Sequence, residues 1–586
     1  MRRLNLKSNP MRRIIVLVIT IVTFAQCKRE VKETTSVVSA DSMFVKLSDE
    51  YLDGFLKARP RSATYLGVHE FDGNLIDLSK PALDAEVARL RSFDQRLIAF
   101  DTMHLSPRAL MDFKILHAAI RQELFSFVDL RLYQTSPLVY PSNADVSLYV
   151  TRDFAPLETR MRLVDRMQRA IPEMMKHARE NLDDSLARPH VETAIQIAEG
   201  AASFMKAQLK EAFAAVKNDS LRTAFNESNK QSVQALNDYA AWLKKEKLPK
   251  AHNHYAIGRE NYVKMLLYNE RLSTSPEEIL KTCERLLKDE LAQFAAVAKK
   301  IDPSKKVAEV FNDLKKDHST AANLIPDARK NAESIRQFLL DKKIISMPSN
   351  VRVTITETPE FARATSTASM DTPGPFEKAT QAYYYITPVD VKWTKKRQEE
   401  WLSLFSRYVT DVITIHEAYP GHYTQFLHLN ASKATRIEKI FPSYAFVEGW
   451  AHYTEQMMIE EGFGAQDTLT QAKYHLAQLN ESLLRLCRMY VSLKMHLEGM
   501  TVEEATKFFE ENAYYEHEGA HHEAMRGTFD PGYLSYALGK QQFLKLREDY
   551  RTRLGDKFSL QEFHDKVLSY GGPPLVLLRE AVMKNE

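Results

Sequence analysis

Cysteine is scarce: three residues in 586, with no Cys-x-x-Cys pair, which excludes a thiolate zinc site. Cys283 and Cys487 lie far apart in helical-looking stretches and read as two buried free thiols. Net charge is nearly absent as well. Eighty basic residues against 77 acidic ones leave +3, so the chain carries no electrostatic footprint for nucleic acid. Residues 43–586 lack any Gly/Ser-rich or Pro-rich linker and any repeat of 20–50 residues, which argues for one large body over several independent domains. The one long apolar run, Ile14 to Phe24, is too short to span a bilayer as a helix.

That run is informative for what surrounds it. Met11-Arg12-Arg13 precedes it and Ala25-Gln26-Cys27 follows, the order of a secretory signal. The cysteine placed directly after the run resembles the lipobox of bacterial lipoproteins. Residues 1–27 then read as a signal peptide, with Cys27 lipidated after cleavage. Residues 28–42 read as a polar, flexible tether, and 43–586 as a single helical domain. The expected location is the bacterial cell envelope, on the periplasmic or surface side of a membrane, with the lipid as the membrane contact.

From Met43 onward apolar residues recur at helical spacing. Phe44, Leu47, Tyr51, Leu52 and Phe55 set the pattern, and it returns in 85–100, 107–130, 157–182, 191–216, 228–247, 275–300 and 325–342. Residues 350–390 break it. Val351 to Ile355 alternates and is β-branched, Pro359 to Phe376 reads as a loop, and Ala382 to Thr387 reads as a second strand. Either strand, 351–356 or 382–387, is expected to offer an edge to an extended peptide. The fold class expected is mostly α, with a small β-sheet beside the most distinctive helix in the chain.

That helix contains His416-Glu417-Ala418-Tyr419-Pro420-Gly421-His422. It resembles the HExxH helix of zinc peptidases, where two histidines one turn apart bind Zn²⁺ and the adjacent glutamate acts on the attacking water. Here the second histidine comes six residues on. A regular helix would rotate by about 600° over that span and turn the two rings apart. Pro420 cannot donate to the carbonyl of His416, and Gly421 tolerates unusual dihedrals. A widened or broken turn would then bring His422 back beside His416.

Two later segments extend the set. Glu448-Gly449-Trp450-Ala451 resembles the Glu-Gly-Phe-Ala run that carries the third, glutamate ligand in aminopeptidase N-type enzymes, so Glu448 is the expected third ligand. Glu455 is the expected partner behind a ligating histidine, and His452 is a weaker ligand candidate. The run Tyr533-Leu534-Ser535-Tyr536-Ala537-Leu538-Gly539 resembles tyrosine-bearing stretches of Taq-type carboxypeptidases and thimet-type oligopeptidases, both helical zinc peptidases. That resemblance implies a histidine and a tyrosine from this region as donors to the oxyanion, Tyr536 the first choice of tyrosine and Tyr533 the second; Arg526 reads separately as a partner for a substrate carboxylate or a buried acid.

Taken together, the motifs resemble the bacterial family known as domain of unknown function 885, which shows a HExxPGH helix, an EGW-A-Y segment and a late Tyr-x-x-Gly segment. An early stretch, Ala58 to Gly67, also matches the family. Asp530-Pro531-Gly532-Tyr533-Leu534 departs from the Pro-Gly-Gln-Ala expected there. The reading implied is a zincin-like metallohydrolase with one Zn²⁺ per chain, held by His416, His422 and Glu448. Glu417 would be the base, and peptides or peptide-like molecules the substrates. Cobalt or manganese also suit such ligands. The rival readings are an amidase acting on cell-wall peptides or small conjugates, and a non-catalytic metal-binding surface lipoprotein.

Overall fold

Helix follows apolar spacing almost throughout. The computed structural model describes residues 39–584 apart from 360–362, 364–366 and 378–380. Cys27, the signal segment and most of the tether lie outside the described residues. The first helix, α1 (Ala40–Ala58), begins three residues inside the expected tether. Asp41 explains the early start: it sits in the first turn and its carboxylate accepts a hydrogen bond from Ser106 N at 2.9 Å, tying the helix start to the body.

Residues 40–586 form one compact unit. Within it, α2 (Leu157–Asn181), α3 (Arg188–Lys206) and α4 (Asp219–Trp242) pack together around a Met-rich stripe that includes Met161, Met167, Met174 and Met175. The larger core lies C-terminal to it. There α5 (Gly258–Glu270) and α6 (Pro276–Ile301) lead to α7 (Leu324–Asp341). Helix α6 starts cleanly because Ser275 and Glu278 form a reciprocal cap, Pro276 occupies the first turn, and Lys299 and Lys300 face the negative end. Cys283 on this helix is a buried free thiol, as is Cys487. No described helix is long and apolar enough to cross a membrane.

The sheet has three strands where the sequence reading expected two: β1 (Thr354–Glu357), β2 (Ala368–Asp371) and β3 (Tyr383–Ile386), in the order β1-β3-β2. β1 runs parallel to β3 and β2 antiparallel to it. Residues 382–387 are therefore not an edge, because both sides of β3 are paired. The outer side of β1 is also occupied: Arg329 donates to Ile355 O at 2.8 Å and Val353 N donates to the Tyr419 hydroxyl at 3.1 Å. That leaves β2 as the open edge among the described residues.

Tyr384 and Ile386 turn one face of β3 into the core, while Tyr383 and Tyr385 stack on the other face at 5.7 Å. Beneath the sheet lies α8 (Arg407–Glu417), followed by α9 (His422–Ala431), α10 (Tyr444–Glu460), the 31-residue α11 (Thr468–Glu498), α12 (His517–Phe529) and α13 (Ser535–Leu554). α11 is buried nearly all round, as a central helix must be.

Helices α10 and α13 cross with backbone against backbone. A Cβ added at Gly539 would stand 2.0 Å from Ala445 O, and one at Gly449 would stand 2.5 Å from Gly539 Cα. Neither overlap can be relieved by turning a side chain. Gly539→Ala is expected to destabilise the protein by about 3 kcal/mol and lower the thermal midpoint by several degrees. Gly200→Ala, where an added Cβ meets nothing within 4 Å, should leave the midpoint unchanged or raised. Equal midpoints for the two variants would contradict the close crossing.

Candidate metal centre

The sequence puzzle at His416 and His422 is solved by a break in the helix. Helix α8 ends at Glu417, and a short non-helical turn, Ala418 to Gly421, leads to α9, which begins at His422. Tyr419 N still donates to Thr414 O at 3.2 Å and Gly421 N to Ile415 O at 3.0 Å, so the turn stays close to the helix axis. Gly421 is required there, because a Cβ on it would sit 1.7 Å from His416 O. Trp450 pins the turn from α10: its indole N–H donates to Pro420 O at 3.0 Å. The two imidazole rings end up 4.9 Å apart and perpendicular.

Glu448 on α10 completes the group. One ligand atom from each of His416, His422 and Glu448 lies within 4.8 Å of the others. The Nε2 atoms of both histidines are 3.5 Å from the same Glu448 oxygen. That distance is long for a strong N–H···O bond. It fits two donors on one ion: atoms bonded to zinc at about 2.0–2.2 Å in a tetrahedron stand roughly 3.3–3.6 Å apart. Burial would push the Glu448 carboxyl up, but the imidazoles of His422 and His416 reverse this and hold it well below the usual carboxylate range.

Behind the group, His416 Nδ1 is 2.7 Å from Glu455 Oε1. A carboxylate only accepts, so Nδ1 carries a hydrogen; burial would push the His416 imidazole down, but Glu448 and Glu455 hold it up at about 10, and an ion at the site would take the place of the proton on Nε2. Glu455 is fully buried and fixed from two further sides, by His452 Nδ1 at 3.3 Å and by Arg485 at 3.9 Å. Burial holds the His452 pKa down at about 3, so this imidazole is neutral. His452 thus supports Glu455 and does not join the ligand group. Nor does His428, which is hydrogen-bonded to Ser346 O at 2.9 Å.

Glu417 is half-buried at the last position of α8, next to His416, and is not one of the three converging donors. Tyr384 of β3 lies within its electrostatic reach: burial pushes the Tyr384 phenol up, and the Glu417 charge adds to the shift. Tyr536, near the start of α13, is half-buried, and its ring is flanked by Arg488 at 5.0 Å and Arg526 at 5.9 Å. Arg526 meets an acid, Asp530, at 3.0 and 2.8 Å. Tyr533 stands differently from Tyr536. It is fully buried, and its hydroxyl is crowded against Gly527 with no hydrogen-bond partner among the described residues. Its hydroxyl belongs to the core and leaves Tyr536 as the accessible tyrosine.

Two residues that motif reading passed over also shape the site. Tyr444 sits one helical turn before Glu448, close enough for that carboxylate to act on its phenol. It accepts a hydrogen bond from Arg526 Nη2 at 3.0 Å and lies 3.4 Å from the Tyr536 hydroxyl. Its phase on α10 was the only available signal. Glu270, buried at the end of α5, accepts from the Ser443 hydroxyl and from Ala445 N at 2.9 Å, and so holds the first turn of α10. Burial lifts its pKa to about 7, against the lowering pull of the Ser443 and Ala445 bonds.

Residues 60–582 match the profile of a bacterial protein family of unknown function, DUF885. A solved structure from Shewanella oneidensis, described as a candidate lipoprotein of unknown function, superposes with a TM-score of 0.77 at 24% identity, covering 92% of this chain and 100% of that one. One from Colwellia psychrerythraea, described as a candidate lipoprotein, gives a TM-score of 0.77 at 18% identity and covers 93% of this chain and 99% of that one. No curated protein matches the chain. The family match runs through nearly all of the folded part and takes in the helix break, the Glu448 segment and the Tyr536 segment, so the chain belongs to the bacterial DUF885 family.

Proposed function

We propose that this protein is a zinc-dependent hydrolase that cleaves amide bonds in peptides. The observation that carries the reading is the convergence of His416, His422 and Glu448, with Glu417 left beside them and unused by the group. A structural zinc site is normally closed by a fourth protein ligand, and among the described residues no fourth His, Cys, Asp or Glu joins these three. When bound, zinc supplies a Lewis acid that polarises the scissile carbonyl and acidifies the attacking water.

The chain's own residues do the rest. Glu417 takes the proton from the attacking water and passes it to the leaving amine. Tyr536 donates to the oxygen on which negative charge develops, an interaction typically worth about 3–4 kcal/mol. Glu455 keeps the His416 tautomer that directs Nε2 at the ion. A cavity of about 650 Å³ lies against β2, lined by Ser369 and Asp371 of that strand with Tyr385, Arg61, Tyr65 and Pro442; it opens on the sheet face that Tyr385 occupies, and none of the metal-group residues lines it. An extended chain along the open edge of β2, Ala368–Asp371, would add a fourth strand.

The test is cleavage of a mixed peptide library, read by mass spectrometry. Cleavage should stop on addition of 1,10-phenanthroline and return when zinc is restored. A zinc-loaded protein that cleaves no peptide would overturn the reading in favour of a binding lipoprotein.

We further propose that a lipid on Cys27 anchors the protein in the cell envelope. The reading is supported by the apolar run ending at that cysteine and by the description of both similar structures. Cys27→Ser is expected to move the protein from the membrane fraction to the soluble fraction. Wild-type protein found soluble and unlipidated would contradict it.

A further inference from the structure

We infer that Tyr444 is a positioning residue: Arg526, Tyr444 and Tyr536 form a one-way hydrogen-bond relay that leaves the Tyr536 hydroxyl hydrogen free for the substrate oxyanion. This rests on the hydrolase reading above and goes beyond it, because it states how the donor's direction is set.

The argument starts from an asymmetry of chemistry. A guanidinium donates and never accepts. Arg526 Nη2 lies 3.0 Å from the Tyr444 oxygen, so that oxygen must be the acceptor. The Tyr444 hydrogen is then turned away from Arg526. The neighbouring acceptor is the Tyr536 oxygen at 3.4 Å, a long contact but one whose direction is now fixed. With Tyr444 donating to it, Tyr536 has a hydrogen of its own left to give. Successive bonds of the same sense polarise one another, which strengthens the last donor.

The three groups are held from outside. Asp530 grips Arg526 through Nε at 3.0 Å and Nη2 at 2.8 Å. The Tyr444 and Tyr536 rings meet edge to face, with centroids 5.6 Å apart. Glu270 binds the residues on either side of Tyr444, Ser443 and Ala445, so the phenol cannot drift along the helix axis. The Gly449–Gly539 crossing lies one turn beyond both tyrosines and sets their separation. A second consequence follows for Glu448. A Tyr444 hydrogen committed to Tyr536 is not donated to Glu448, whose oxygen faces the two histidine nitrogens.

The experiment uses the zinc-loaded full chain with 3-fluorotyrosine at position 536, read by ¹⁹F NMR, beside a kinetic double-mutant cycle on a peptide from the library. Tyr444→Phe removes only the hydroxyl of a half-buried side chain. It should shift the fluorine resonance, as should Arg526→Gln, while Tyr490→Phe, stacked on Phe508 elsewhere, should not. Tyr444→Phe should lower kcat about tenfold with KM unchanged. In a Tyr536→Phe background the same change should have no further effect. An unmoved fluorine resonance in Tyr444→Phe overturns the relay whether or not any peptide is cleaved. Losses that multiply across the cycle overturn it too, because they would mark Tyr444 as merely structural. Absence of any cleavage by wild-type protein counts against the hydrolase reading alone, since the fluorine shift still decides the relay.

Discussion

Glu417→Gln lowers turnover by about 10²–10⁴-fold while zinc content and peptide affinity stay near wild type. General acid–base help has that size, equivalent to roughly 3–5 kcal/mol of barrier at 1.36 kcal/mol per decade. The glutamine amide keeps the shape of the side chain but cannot take a proton. Zinc should be retained because the converging donors are His416, His422 and Glu448, not Glu417. The fold should be retained because Glu417 is half-buried at a helix end, where no tight packing depends on its charge. Measured kcat, KM and metal content on one preparation decide the matter. A wild-type kcat in this variant would end the water-activation mechanism, and a loss of zinc would recast Glu417 as a ligand.

His422→Ala is expected to cut bound zinc from one per chain to under about a tenth after dialysis, and to abolish peptide cleavage with it. Three donors with an open position form a catalytic site, and removing one leaves a pair that holds zinc weakly. The ring of His422 is only partly enclosed, at 17% side-chain exposure, so its loss should not open the core. The informative contrast is His428→Ala. His428 is buried and bonded to Ser346 O, so that variant should keep zinc and lose stability. Circular dichroism, thermal midpoint and elemental analysis separate the two cases. Full zinc retention in His422→Ala would remove His422 from the centre.

The sequence was most readable where chemistry is local. The long amphipathic helices appear where their 3.6-residue spacing put them, α2, α6 and α7 to within a residue or two. The proline and glycine before His422 announced a disturbed turn, though the chain alone left open whether the helix widens or stops. It stops, and Trp450 pins the turn, its indole reaching Pro420 from 30 residues away. That contact left no local sign, because Trp450 lies on α10, far along the chain from the turn it holds. Long-range pairing hid two further features. β2 carries no β-branched alternation and becomes a strand only against β3, so residues 382–387 were read as an edge when they are central. The glycines of the Glu448 and Tyr536 segments gave no local sign that they meet each other, yet their crossing fixes the distance between those segments.

The family match and the two superposed structures establish the fold and leave its chemistry open. The central claim is that His416, His422 and Glu448 hold one zinc ion. Anomalous diffraction from crystals of the full chain, recorded just above and just below the zinc absorption edge, tests it most directly. The account predicts a single strong difference peak at bonding distance from His416 Nε2, His422 Nε2 and a Glu448 carboxylate oxygen. A zinc peak elsewhere in the molecule, or none at this position after soaking in zinc, would contradict it.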